Sequence, residues 1–148
     1  MNTFQEKLLF VEEEISRLFE GQRRRVVDIN DKLIAAVGGT RFCSAEVALE
    51  SPAEVAVDNV EALVTHTHRA RVFGRYLDSI RLNRAKGTTE QAAFEHMENY
   101  VSRELISSAD ALRGHSSSWA TNVQHAAELT ALSDIARLFQ DLREHIAG

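Results

Sequence analysis

The sequence predicts an all-α protein: an elongated up-and-down helical bundle of about four helices, two of them long. Three observations carry this. A single proline in 148 residues leaves most of the chain free to stay helical, since proline is the strongest helix breaker. Apolar residues return every three or four positions rather than every second one. The breaks in that rhythm are few, and they hold glycine or clustered hydroxyl side chains. The length is that of one ordinary domain with room for a core, so residues 1–148 are expected to form a single helical-bundle domain.

The first helix is drawn by Phe4, Leu8, Val11, Ile15, Leu18, Val26, Ile29, Leu33 and Val37, which share one face at helical spacing. Phe4, Ile15, Val26 and Val37 are eleven apart, a repeat that holds a face on a nearly straight helix. The pattern continues through Gly21, so one long helix with a weak point there is expected, ending at Gly38-Gly39; a break at Gly21 is the alternative. Residues 38–50 read as a connector with a short helical turn from Ser44.

Ser51-Pro52-Ala53-Glu54 is the clearest local signal: an N-cap serine, proline at the first helical position and a glutamate placed for a capping box. The second helix should run from there to Lys86, with Gly87 supplying the left-handed residue that ends it. About 35 residues at 1.5 Å each make a rod of roughly 50 Å. Thr88-Thr89-Glu90-Gln91 offers the next N-cap with glutamine in the capping-box position, and Phe94, Met97, Val101, Leu105 and Leu112 form the third stripe. Gly114 should end that helix. Ser116-Ser117-Ser118 offers N-caps for the fourth, whose apolar residues concentrate late, at Leu129, Leu132, Ile135, Leu138, Phe139, Leu142 and Ile146. Short loops make antiparallel neighbours.

Hydrophobic residues make up 44% and charged residues 26% of the chain, a composition that folds rather than one that stays disordered. No apolar run approaches the roughly 20 residues that span a bilayer. The first turns are acidic and lack a secretory pattern, so a soluble, cytoplasmic protein with no membrane partner is expected. Cys43 is the only cysteine, which excludes an intramolecular disulfide and a multi-cysteine zinc site. A net charge of −5 argues against nucleic acid as a partner, because that affinity comes from neutralising phosphates. Arg23-Arg24-Arg25 lies between Glu20 and Asp28 and reads as a solvated helix face.

Di-iron bundles need Glu-x-x-His on two helices. The residues three before the histidines are Leu63, Thr65, Ala93, Leu112, Asn122 and Leu142; none is acidic. No His-x-x-x-His chelate exists, and P-loop, dinucleotide-binding and Gly-x-Ser-x-Gly patterns are absent along with the strands they need. No cofactor, no metal and no catalytic residues are therefore expected, and the protein is expected not to be an enzyme. A haem- or metal-binding helical sensor built on a buried histidine is a further alternative.

The segment VTHTHRAR of the second helix carries His66 and His68. Leu63, His66, Ala70, Phe73, Leu77 and Ile80 alternate spacings of three and four, which puts His66 on the packing seam. His68 lies about 200° around the helix, so the two rings cannot clasp one ion. Followed by Arg69, Arg71 and Arg75, His68 is the candidate phosphoacceptor, with Arg71 and Arg75 to receive phosphate charge. His68-Arg69-Ala70-Arg71 is similar, over four residues, to the histidine-basic stretch of some two-component dimerisation helices, which implies phosphotransfer. Residues 11–33, with Glu13, Glu14, Gly21, Asn30 and Lys32 among the apolar positions, look like the first helix of flagellar export chaperones of the FlgN type. Trp119 is the candidate partner-binding anchor, since tryptophan is enriched at hot spots. The expected function is a non-enzymatic protein-interaction module, a regulator, adaptor or chaperone-like protein acting on a protein partner or on itself as a homo-oligomer, with a homodimer expected; histidine phosphotransfer through His68 is the alternative.

Overall fold

A computed structural model describes residues 3–40, 52–114 and 118–147, with side chains over 3–35, 59–114 and 118–144. The order is α1 (Phe4–Thr40), α2 (Pro52–Ala85), α3 (Glu90–Arg113) and α4 (Trp119–Ala147). The fold is the expected all-α bundle, with no strand among the described residues. α1 lies most extensively along α2, and α4 packs against both α2 and α3.

Local chemistry sets the helix starts. Thr3 and Glu6 form a reciprocal capping box at α1: Thr3 Oγ1 accepts from Glu6 N, and Glu6 Oε2 accepts from Thr3 N, both at 3.2 Å. The sequence reading missed it, although Thr-x-x-Glu is the box pattern itself. α1 continues through Gly21 and past Gly38-Gly39 to Thr40. The connector turn at Ser44, the thiol of Cys43 and the Ser51 cap lie outside the described residues. Gly87 takes φ +72° and closes α2 as expected. At α3 the cap is Thr89, whose side chain accepts from Ala92 N. That register moves Gln91 out of the capping-box position, and its amide donates to Glu95 along the helix instead. Gly114 ends α3 without the left-handed conformation, at φ −68°, its N–H reaching the carbonyls of Asp110 and Ala111. Of the three serines before α4, Ser118 Oγ accepts from Thr121 N.

The core gathers where all four helices meet. Leu8, Val11 and Ile15 of α1 close on Phe73, Leu77 and Ile80 of α2, on Phe94, Met97 and Val101 of α3, and on Leu132, Ile135 and Phe139 of α4. The Phe94 ring meets Phe4 at 5.8 Å and Phe139 edge-on at 5.1 Å, geometries that aromatic quadrupoles favour. Among the described side chains, the core does not extend far along the other half of the α1–α2 hairpin. No α2 side chain between residues 59 and 71 is fully buried, and beyond Ile29 no described α1 side chain is.

Candidate functional site

Two features mark the stretch of the α1–α2 hairpin where the core gives way to that less covered half: a polar layer inside it and an apolar groove on its outside. The polar layer begins at Gln22. Its position continues the α1 stripe between Leu18 and Val26, yet it carries an amide. That amide is only 8% exposed, and its Oε1 lies 2.6 Å from His66 Nδ1 of α2. A buried amide must find a partner or lose its water hydrogen bonds uncompensated. His66 therefore sits on the α1–α2 seam, half-buried, and burial first, then Arg25 and Arg69, hold its pKa below the ordinary value.

One turn on, Arg69 reaches α4, donating to Asp134 Oδ2 at 2.5 Å and to Thr130 Oγ1 at 2.7 Å. Its guanidinium also lies 5.4 Å from the centre of the Phe73 ring. A fork that fills two acceptors and covers an aromatic face fastens α2 to α4. Farther along, Tyr76 is buried and donates to Glu104 Oε2 at 2.6 Å, while Arg75 donates to the same oxygen at 3.2 Å. Burial first, then this bond, raise the Tyr76 phenol pKa strongly. None of these cross-helix bonds is visible to a one-helix periodicity, because each joins polar residues far apart in sequence.

His68 faces elsewhere, as its register requires. It is half-buried rather than open, and its pKa is held down by burial first and Arg71 second, against a smaller upward pull from Glu128 of α4. Arg71 is exposed; Arg75 is turned to Glu104. The three residues singled out for phosphate chemistry thus follow one another over two turns on one side of α2, but Arg75 is bonded to Glu104 and Glu128 lies near the His68 ring. Trp119 occupies the first position of α4 and is 49% exposed. Among the described residues no group of three or more His, Cys, Asp or Glu side chains is arranged to hold a metal ion.

The groove has a volume of about 480 Å³ and is built by α1 and α2 alone. Phe19, Arg23 and Val26 form one wall; Thr67, Ala70, Arg71 and Gly74 form the other, with Arg75 and Asp78 at its far end. Gly74 explains its depth. A Cβ there would stand 3.3 Å from Phe19 Cε2, so the missing side chain lets the Phe19 ring approach the α2 backbone and leaves the floor low. Glycine inside a helix costs about 1 kcal/mol relative to alanine, and an unbroken helix that bears it signals a packing reason. That was the readable clue to this site. No family model, curated protein or solved structure matches this chain.

The groove is cationic at its rim. Arg23, Arg71 and Arg75 outnumber the single acid, Asp78, in a chain whose net charge is −5. Arg23 has an exposed pairing with Glu20 at 3.5 Å, worth little in water. Arg71 has no carboxylate within ion-pair distance among the described residues. No described helix is long and apolar enough to cross a membrane.

Proposed function

We propose that this chain is a non-enzymatic protein-interaction module, a regulator, adaptor or chaperone-like bundle, and that it engages its partner protein through the outer face of the α1–α2 hairpin. The observation that carries the reading is the groove of about 480 Å³ floored by Phe19, Val26, Ala70 and Gly74 on the outside of the α1–α2 seam, where the core gives way to the less covered half of the hairpin. Bundles ordinarily cover such a seam with another helix; here no other described helix lines it. An apolar depression with a few charged groups at its edge is the usual form of a recognition site.

Copurification of the tagged chain from its native host, read by mass spectrometry and light scattering, tests this. A stoichiometric protein partner, lost on replacing Arg71 by glutamate, is the expected result. Turnover by the purified chain, or a stoichiometric cofactor in it, would overturn the reading.

A further inference from the structure

The α1–α2 groove is one part of a longer exposed strip. On α1, Arg23 is followed on the same stripe by Val27 and Ile34, which are 52% and 63% exposed. On α2, Gly74 and Thr67 are preceded on their stripe by Val60, 41% exposed. Spacings of four and seven residues keep these side chains on the groove's own side of each helix. From Asp78 back to Val60 the strip runs about 27 Å along α2 at 1.5 Å per residue. That length suits a helix of about five turns, and it exceeds what a compact small molecule covers.

Charge selects among helices. Within the groove three arginines flank the apolar floor against one aspartate, whereas the strip at Val27 is bordered by Glu20, Arg24 and Asp28, so the cationic bias is the groove's own. A symmetric pairing of two copies through this face would bring each copy's arginines toward the other's, because an isologous contact sets the same patch against itself. We infer that the outer face of the α1–α2 hairpin docks an acidic amphipathic helix of a partner protein, its apolar residues on the Phe19–Gly74 floor and its carboxylates against Arg23 and Arg71. This rests on the interaction reading and specifies the partner's chemistry. Arg75 can contribute only by sharing its guanidinium with Glu104, so Arg23 and Arg71 carry the selection. Gly74 acts by absence: any larger residue there fills the seat for the partner's apolar knob.

The test uses the full chain and two designed, helix-stabilised peptides of 18 residues, with identical leucine faces and either glutamate or lysine on the flanking positions. Binding is read by fluorescence anisotropy and by amide shift mapping. The glutamate peptide is expected to bind at least about tenfold more tightly at low salt, since opposed charge patterns discriminate partners. Its shifts should centre on residues 67–74 and 19–27. Arg71→Glu, on an exposed side chain, and Gly74→Leu should each weaken it by about tenfold or more; circular dichroism shows whether each variant folds, and Arg71→Glu alone suffices if Gly74→Leu does not. Equal binding of the two peptides, shifts centred on α3 or α4, binding of neither peptide, or self-association of the chain through this face would each overturn the inference. If a natural partner still copurifies with wild type and its recovery survives Arg71→Glu and Gly74→Leu, the interaction reading stands while this surface and this partner chemistry fail. Loss of any partner from wild type itself is failure of the reading.

Discussion

Gln22 and His66 meet across the α1–α2 seam with Oε1 and Nδ1 2.6 Å apart, and this single bond completes the stripe of α1 with a polar residue. Removing one partner strands the other. His66→Ala should cost about 1–3 kcal/mol by leaving a buried amide unpaired, measured by urea denaturation. Replacing both residues by leucine should recover much of that loss. A His66→Ala cost no larger than that of His68→Ala would contradict the placement of His66 on the seam.

Acid should loosen the fold through the same layer. Both His66 and His68 have pKa values below the ordinary 6.5, burial being the first cause in each. The unfolded chain therefore binds protons that the folded chain resists, and stability must fall as pH drops through about 6.5 toward the lower folded values. Above about 7 both rings are neutral in either state and this contribution is flat. Stability measured from pH 8 to 5 should decline less in His66→Leu than in wild type over that window.

Glu104 holds a further cross-helix bond, accepting from Tyr76. Tyr76→Phe removes a hydrogen bond but leaves Glu104 with Arg75, whereas Glu104→Leu strands a buried hydroxyl. The second change should therefore cost more, by about 1 kcal/mol or so, in chemical denaturation. Both phenols, Tyr76 and Tyr100, have raised pKa values. Absorbance at the phenolate band should accordingly show no tyrosine ionising with a midpoint below its ordinary pH near 10 until the protein unfolds.

Two glycines inside helices should respond differently to alanine. A Cβ at exposed Gly21 meets nothing within 4 Å, so Gly21→Ala should stabilise by about 0.5–1 kcal/mol through helix propensity. At Gly74 the same gain is opposed by the 3.3 Å approach to Phe19, and the net effect should be smaller. Thermal melts of the two variants decide it; a larger gain at Gly74 would mean that Phe19 does not rest there.

Much of the fold was readable because each helix announces itself locally. Pro52, Gly87 and the stripe through Ile15, Phe73 and Ile135 are single-helix signals. The capping register at Thr89 was misread by one residue because two threonines stand together. The polar layer was legible only in half: the stripe put His66 on a seam, but nothing along α1 said that Gln22 would meet it. The groove was not read at all. It depends on how Phe19 of one helix lies over Gly74 of another, and only the unbroken helix through Gly74 hinted at it. His68 shows the opposite limit, for its direction followed from the register while its half-burial beside Glu128 needed α4 in place.

We propose that this chain acts on a partner through the outer face of its α1–α2 hairpin. The deciding measurement is site-specific photo-crosslinking in the native host, with the photoreactive residue placed in turn at Thr67, Val27 and Val60 on that face and at Ser102 on α3. A discrete protein adduct from the first three positions and none from Ser102 is the predicted result. Adducts confined to Ser102, or none from any position while the chain remains folded and expressed, would contradict it.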